Sequence, residues 1–406
     1  MMRINRKKIV DYWGVLVIIL GSGSYSFAHK SYVPAFIVML LTSLFYLYYD
    51  KHAVNKHRLH TLGFVYCLIY GGIIFVNRFI IHTDVLNHSW VSWLFNLIFS
   101  FVIICRYPFY VFKKIYLNVL TVLSIISLIV FGGIELELFT PQIVNRPGAE
   151  GQYMEFFFHC VGWNFLFHRN AGLFHEPGAY QYFLNFALIF FIPEIKEGIL
   201  KRKEKWQMLV IVITLLTTLS TMAYIAFLGI ISLIIFFSKY VRVHRSLGPI
   251  VVLLLLGLFV IAINSPIIAQ KIGENDVGEE HISKVTRARD LITQSEMTLE
   301  QPIWGYGIAT KNFANRNYGN TGGCIGLVNN SASLGLLWLL IFLCFAYRGI
   351  KRMQLGVPTI LVLFIFILIE CNENFVDLPI TYLFILNFLN YQRINVDTKI
   401  KNNESV

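Results

Sequence analysis

The residues best suited to chemistry lie together in residues 169–182, where a polar loop runs into a membrane-length apolar segment. This stretch holds Arg169, His175 and Glu176 together with two glycines and a proline. A guanidinium group binds phosphate through parallel hydrogen bonds, and a carboxylate accepts protons. Because ionisable groups at membrane depth are costly, the cluster predicts a functional site that binds an anion and moves a proton.

A structural interpretation of the same stretch also stays open. Glu176 fits the N-cap of a helix that begins at Pro177, with Arg169 extending to the membrane interface. His175 is either a second candidate base or a structural ring. A cap requires neither the arginine nor the histidine, so we favour the functional interpretation. Gly172 and Gly178 are predicted to let the backbone approach a substrate closely.

The composition indicates a membrane protein. The 406 residues are 56% apolar and only 14% charged, whereas soluble proteins average about 25% charged residues. Apolar runs of about 20 residues predict about 12 transmembrane helices. Their centres lie near residues 20, 40, 70, 97, 124, 186, 213, 230, 256, 338, 363 and 385. We therefore expect an all-α polytopic membrane protein, with residues 1–406 forming a single integral membrane domain.

The basic residues predict the topology of these spans. Most of the 34 lysine and arginine residues fall in alternate connecting segments, and such segments face the cytoplasm. Both termini are then cytoplasmic, and the net charge of +11 reports topology rather than nucleic-acid binding. Two long outer loops result, at about 135–176 and 264–330, with a cytoplasmic tail at about 392–406.

Each outer loop is predicted to carry a short helix along the membrane interface. In the first loop, the aromatic-rich residues 153–168 are interpreted as such a helix. In the second, apolar residues around Leu291 recur at helical spacing until Pro302 ends the pattern. The turn between the last two spans holds Glu370 and Asp377, and we expect its carboxylates to be solvated.

Several kinds of chemistry are excluded by what the sequence lacks. It has no G-x-x-x-x-G-K-[ST] loop for ATP, no zinc-ligand spacing and no G-x-S-x-G elbow, so we predict no metal and no cofactor. A substrate that carries its own activation, such as a lipid-linked diphosphate, fits these limits. Arg169 and Arg287 are candidates to bind such a diphosphate, and Glu176 is the favoured candidate base.

Three motifs resemble those of one known superfamily. Arg169-x-x-Gly172-x-Phe174-x-Glu176-Pro177 resembles the R-x-x-G-x-F-x-E-P signature of the O-antigen polymerase (Wzy) and O-antigen ligase superfamily. Arg287 followed by Pro302, Gly305 and Gly307 is similar to its R…P-x-x-G-x-G element. Asn329-Asn330-Ser331 followed by Leu334-Gly335-Leu336-Leu337 resembles its H-N-S…G-L-L-G segment. The resemblance covers roughly residues 110–390.

The resemblance implies a glycosyltransferase of the bacterial cytoplasmic membrane. Its substrate is an undecaprenyl-diphosphate-linked oligosaccharide, used at the outer leaflet without metal or nucleotide. Arg169 and Arg287 are then expected to bind the donor diphosphate. Gly305, Gly307, Asn329 and Asn330 are expected to bind substrate. Membrane lipid is a further partner, a chain-length regulator stays open, and nucleic acid is not expected.

Two departures from the superfamily pattern bear on the activity. Asn329 stands where the ligases have a functional histidine, and Thr221-Met222 stand where many members have Ser-Arg. The missing histidine and the Glu176-Pro177 pair favour a polysaccharide polymerase for O-antigen, capsule or a similar exported glycan. The alternatives are an O-antigen ligase that transfers finished polymer to a lipid anchor, and a polysaccharide or lipid transporter (flippase).

Overall fold

The computed structural model describes residues 6–25, 32–48, 61–84, 86–145, 152–164, 167–238, 280–318, 325–371 and 375–386. Helices α1–α5 cover Arg6–Gly21, Tyr32–Tyr48, Thr61–Phe75, Ser89–Arg106 and Phe109–Glu135, and a π-helical segment, Val76–Ile81, continues α3. Helices α6–α8 cover Pro177–Glu197, Arg202–Thr217 and Thr221–Phe237. Helices α9–α13 cover Glu280–Glu300, Lys311–Arg316, Gly326–Met353, Thr359–Glu370 and Pro379–Ile385. The described part is therefore mostly helical, as predicted.

The helices support the prediction of a membrane protein. Four stretches of the described residues are long and apolar enough to cross a membrane: Thr61–Ile81, Ser89–Arg106, Phe109–Glu135 and Gly326–Met353. Shorter apolar helices lie at Ile9–Gly21, Val33–Tyr48, Ala223–Phe237 and Thr359–Glu370. The predicted span near residue 256 and the tail at about 392–406 lie outside the described residues. The count of about 12 spans, the single-domain organisation and the position of the termini stay predictions.

Helix α6 is buried over most of its length. It begins at Pro177, whose missing N–H costs nothing at the first helical position. Every residue from Pro177 to Ile192 is buried, because the helix is apolar on most sides and packs against α5, α7, α8 and α12. It ends at Gly198, which adopts a left-handed conformation with φ of 71°. Residues 169–176 therefore lead directly into the core.

The first outer loop is a β-sheet, so the prediction of an interfacial helix at residues 153–168 is wrong. Strands β1–β4 cover Gln142–Asn145, Gln152–Phe156, His159–Asn164 and Phe167–Gly172. They pair antiparallel in chain order, and Met154 lies opposite Val161. Met154 and Val161 pack on Val130 and Ile134 of α5, with Phe156 beside them. The aromatic run thus alternates with period two, which buries one side of a strand rather than a helical stripe.

The second outer loop contains the predicted helix. Helix α9 ends at Glu300, just before Pro302, and packs against the first half of α11. Its apolar residues Leu291 and Ile292 are 46% and 60% exposed whereas Asp290 and Gln294 are buried, so the apolar side of the helix is directed outward. The sequence pattern identified the helix, and its position along the membrane interface stays a prediction.

Candidate functional site

The first motif forms a corner between β4, the start of α6 and the α7–α8 turn; we call residues 168–178 with 217–220 the arginine corner. The guanidinium of Arg169 is partly buried and donates from Nε to the Thr218 carbonyl oxygen at 3.3 Å. A Cβ placed on Gly162 would lie 3.8 Å from Arg169 Cβ and 3.7 Å from Pro177 Cγ. Arg169 and the Glu176-Pro177 step therefore flank the same point of β3. Of the charged residues of the motif, His175 and Glu176 pair with each other, and Arg169 contacts the turn before α8.

Asn170 holds this corner rigid. Its Oδ1 accepts hydrogen bonds from the Ser127 hydroxyl at 2.7 Å and the Gly172 amide at 3.0 Å, and its Nδ2 donates to Thr217 Oγ1 at 3.0 Å. The side chain is 1% exposed, so these bonds satisfy an amide that water cannot reach. The sequence motifs do not reveal the role of Asn170, because that role depends on partners from α5 and α7.

The helix start confirms one part of the structural interpretation of Glu176. Its backbone occupies the N-cap position of α6, yet its side chain makes no capping hydrogen bond. Instead Glu176 Oε1 lies 3.0 Å from His175 Nε2, with the two side chains 27% and 12% exposed. His175 Nδ1 lies 3.3 Å from the Gly23 carbonyl oxygen. Both ring nitrogens thus face acceptors, an arrangement that orients the histidine and leaves Glu176 as the better candidate base.

A protein side chain lies against the α-carbon of Gly172, and the role of this glycine in letting a substrate approach stays a prediction. Gly172 has φ of +58°, and a Cβ there would lie 2.6 Å from the Tyr180 ring. The Tyr180 hydroxyl in turn donates to Ser124 Oγ at 3.2 Å. Gly178 is buried in the first turn of α6. The absence of a side chain at Gly172 therefore lets α6 pack closely against β4.

The second and third motifs dock onto each other; we call residues 302–308 with 329–336 the kink junction. Gly335 adopts φ of 85° and ψ of 171° and interrupts α11. The carbonyl oxygens freed there accept from the loop: Tyr306 N donates to Ala332 O at 2.8 Å and Gly307 N to Ser333 O at 3.0 Å. Leu336 N donates back to Pro302 O at 2.6 Å. The break is thus fully hydrogen-bonded along the backbone.

The two loop glycines have a structural role in this docking, and their predicted role in substrate binding stays a prediction. A Cβ on Gly305 would lie 2.5 Å from the Ser333 carbonyl carbon, and one on Gly307 would lie 2.8 Å from the His82 ring. Both glycines also have positive φ, of 65° and 89°. Only glycine satisfies the space and the backbone conformation together.

Asn77 and His82 complete the kink junction, and neither residue belongs to one of the three sequence motifs. Asn77 Nδ2 donates to the Ser333 carbonyl oxygen at 3.3 Å and to that of Trp304, while its Oδ1 accepts from Ile308 N at 3.3 Å. His82 Nε2 donates to the Gly305 carbonyl oxygen at 3.1 Å. Burial lowers the pKa of His82, so the neutral ring is favoured. An asparagine inside an apolar span was the available sequence signal.

The amides of the third motif lie on the buried side of this junction. Asn329 is 4% exposed and its Oδ1 accepts from Gln294 Nε2 of α9 at 3.4 Å. Asn330 is 1% exposed, and neither of its side-chain polar atoms has a hydrogen-bond partner among the described residues. Leaving a buried amide unpaired costs about 1–3 kcal/mol. The backbone of Arg287 belongs to α9, but its side chain lies outside the described residues, as do those of Thr221 and Met222.

A buried carboxylate connects α6 with the last two helices, so the prediction that Glu370 is solvated is wrong. Glu370 is 0% exposed, and its Oε1 accepts a hydrogen bond from the Tyr182 hydroxyl. Its Oε2 has no partner among the described residues. Phe375, in the turn after α12, contacts the rings of both Tyr182 and His175 at centroid distances of 5.2 and 6.1 Å. Long-range partners of this kind leave no local sequence signal.

Metal binding has no support in the described residues, which contain no group of three or more His, Cys, Asp or Glu side chains suited to hold an ion. The groups present are instead a guanidinium, a paired carboxylate, hydroxyls and amides. Together with the apolar helices, they define a helical membrane protein with a polar, partly buried arginine corner.

Comparison with known proteins supports the resemblance stated from the sequence. Residues 207–330 match the family model described as O-antigen ligase (Wzy_C), and no curated protein matches the chain. The match runs from α7 through α9 to the start of α11, and so includes the Thr218 turn that contacts Arg169, as well as most of the kink junction. It confirms the resemblance to the O-antigen polymerase and ligase superfamily, whose members are glycosyltransferase-like enzymes.

Proposed function

We propose that this protein is a polysaccharide polymerase that joins undecaprenyl-diphosphate-linked repeat units of an O-antigen, capsule or similar exported glycan. A hydroxyl of one lipid-linked repeat attacks the anomeric carbon of the glycan on a second carrier lipid. The bond from that carbon to the diphosphate oxygen breaks, and the hydroxyl proton passes to a base. The reaction takes place at the outer face of the bacterial cytoplasmic membrane, without metal or nucleotide.

The observation that carries the proposal is the geometry of the arginine corner. Arg169 donates to the Thr218 carbonyl oxygen and has its Cβ, like the Pro177 ring, beside Gly162 of β3, and Glu176 immediately precedes Pro177 at the start of α6. Charge grows on the diphosphate as it leaves, and a preorganised guanidinium stabilises that charge better in the transition state than in the ground state. Glu176, oriented by His175, is placed to orient or accept the proton of the attacking hydroxyl.

Arg287 is proposed as the second diphosphate ligand, as the resemblance implies. It lies in the part of the chain that matches the family model, two helical turns before Gln294 on α9. A diphosphate carries charge on both phosphoryl groups, so two separate arginines suit it better than one.

A ligase is the second candidate, because the matching family model is described as O-antigen ligase. The polymerase is favoured by Asn329, which replaces the functional histidine of the ligases and cannot accept a proton as a base. The buried position of Asn329, with its Oδ1 accepting from Gln294, is consistent with a binding rather than a proton-transfer role.

The first experiment is the gel profile of lipid-linked and surface glycan in a strain that lacks this protein. Single repeats in place of the parental ladder support the polymerase. Full ladders left on the carrier lipid indicate a ligase instead. Repeats trapped at the inner face indicate a transporter and contradict both enzyme assignments.

Arg169 variants then test the role of the arginine corner. We expect Arg169→Ala to lower polymer yield by at least about 100-fold, as for loss of one transition-state donor, at unchanged protein level in the membrane. Arg169→Lys keeps the charge but loses the planar fork, so an intermediate yield is expected. Arg316→Ala is the matched control, since Arg316 is engaged with the exposed Glu300 at 2.6 Å and its loss should leave the ladder intact. A full ladder from Arg169→Ala would reject the assignment.

A further inference from the structure

The turn between β2 and β3 carries two exposed phenylalanines. Strand β2 ends at Phe156 and β3 begins at His159, so Phe157 and Phe158 form the whole turn. Their side chains are 78% and 64% exposed. Two-residue hairpin turns favour pairs such as Asn-Gly, because their backbone requires positive φ. Phe157 adopts φ of 54°, a conformation that bulky residues rarely take. Local turn chemistry therefore does not account for the two phenylalanines.

The turn lies close to the C-terminal end of α5. The Phe139 ring covers Gly133 and leaves no room for a Cβ there. Phe156 stacks on Phe139 at a centroid distance of 4.7 Å, and Phe157 packs edge-on against Phe156 at 4.9 Å. Only two ring contacts thus separate the tip of the hairpin from the last turn of α5, a helix long and apolar enough to cross a membrane.

The face of α5 that leads to this turn is apolar and exposed. Its exposed residues recur at helical spacing and are Val122, Ile125, Ile126 and Ile129. Gly133 follows Ile129 by four residues and so lies on the same face, beneath the Phe139 ring. Leu136 and Leu138, just past the helix, are 71% and 73% exposed. A continuous apolar surface of this kind marks contact with a membrane or another protein.

We propose that Phe157 and Phe158 insert into the membrane leaflet at the C-terminal end of α5 and anchor the β-sheet there. Lipid is the occupant that this continuity favours, because the exposed face of a membrane-crossing helix contacts acyl chains. The rings suit the boundary between headgroups and acyl chains, where aromatic side chains are commonly buried.

The ionisable groups near the turn fit a shallow insertion. His159 follows the turn directly, and burial lowers its pKa to about 4, so its ring is uncharged at neutral pH. Glu135 and Glu137, at the end of α5, are exposed. Their carboxylates stay at the level of the headgroups, since a charge in the acyl layer is costly. The two rings therefore reach the boundary layer and no deeper.

The anchor sets the position of the whole sheet relative to the membrane. Strand β3 continues from the turn and pairs with β4, and Gly162 lies opposite Arg169. Because the strands are joined by hydrogen bonds, the height of the turn determines the height of Arg169 above the acyl chains. A phosphate group carried on a lipid lies at this level. The anchor itself does not depend on the proposed function.

Photo-cross-linking identifies what the turn contacts. The photoreactive analogue p-benzoylphenylalanine is placed at Phe157 in the full-length protein, in nanodiscs of phosphatidylethanolamine and phosphatidylglycerol. We expect adducts on lipid acyl chains by mass spectrometry. Their yield should be at least about tenfold above that from Asn315, an exposed polar residue of α10, as burial of a large apolar side chain predicts. The analogue at Ile129 gives the yield for full lipid contact.

The other outcomes overturn the anchor. A lipid yield equal to that from Asn315, or adducts on headgroups alone, shows that the turn stays outside the acyl layer. A cross-link between two protein chains shows that a second copy covers the turn instead.

A double variant tests the anchor without the analogue. Phe157→Asn with Phe158→Gly supplies the pair that a two-residue turn favours, so local turn chemistry alone predicts a higher thermal unfolding midpoint. Loss of two rings from the lipid predicts a lower midpoint in the same nanodiscs, which is the result we expect. A midpoint equal to or above that of the parent contradicts the anchor.

Discussion

Asn170 and Asn330 are equally buried, at 1% exposure each, but their surroundings are opposite. In the arginine corner, Asn170 makes hydrogen bonds of 2.7–3.0 Å to α5, to α7 and within its own turn. In the kink junction, Asn330 has no partner among the described residues. The first amide stabilises a corner that carries charged groups. The second contributes no such hydrogen bonds among the described residues.

The backbone shows the same division. The arginine corner is held by side chains, with Arg169, Asn170 and His175 each reaching another element. The kink junction is held by main-chain hydrogen bonds between the loop and the broken helix. In the arginine corner we therefore expect the loss of a polar side chain to cost the most stability. In the kink junction we expect the substitution of a glycine, which changes the backbone, to cost the most.

The largest expected effect is therefore at a glycine of the kink junction. Gly335→Ala places a Cβ 2.4 Å from the Ile303 carbonyl oxygen, in a φ/ψ region that glycine alone adopts readily. Strain and overpacking together should cost about 2–6 kcal/mol of unfolding free energy. Membrane yield and the thermal midpoint of the purified protein measure it. Gly132→Ala is the control, since a Cβ there meets nothing within 4 Å; equal midpoints for the two variants would contradict the prediction.

The next effect compares the two asparagines directly. Asn170→Leu leaves Ser127, Thr217 and the Gly172 amide without their partner, at a cost of about 2–4 kcal/mol in stability. Asn330→Leu has no such cost. The difference between their thermal midpoints is the measurement. If both substitutions lower the midpoint by the same amount, the contrast between a paired and an unpaired buried amide is wrong.

Local patterns predicted the parts of the fold that depend on local chemistry. Pro177 after Glu176 indicated the start of α6, and Pro302 indicated the end of α9. The aromatic run at residues 153–168 was misassigned because large apolar residues suit a strand as well as an interfacial helix. Only the pairing of Met154 with Val161 above α5 decides between them.

The candidate site was predicted less completely than the fold. Arg169, His175 and Glu176 were recognised because charged groups beside an apolar run stand out. Gly305 and Gly307 were recognised as important, but their structural role was not, since their close neighbours come from α11 and from His82. Glu370 was expected in water because its partner, Tyr182, lies far away in the sequence. Tertiary contacts alone determine these roles.

The smallest expected effect concerns the turn between α12 and α13, which joins the arginine corner through Phe375. Asp377 lies in this turn, and burial raises its pKa from 3.8 to about 7. The folded protein then binds more protons than the unfolded chain between these values. The stability that Asp377 contributes is fully present below its unfolded pKa. It is lost as the pH rises towards the folded pKa, with a slope of at most about 1.4 kcal/mol per pH unit.

Asp377→Asn removes this titration while keeping nearly the same shape. We expect the variant to exceed the parent in thermal midpoint at pH 8 and to match it more closely at pH 4, since only the charged carboxylate is disfavoured by burial. Parallel midpoint curves for parent and variant across this range would show that the carboxylate stays solvated. In that case the turn contacts the arginine corner through the Phe375 ring alone, and ring packing rather than charge joins this turn to the corner.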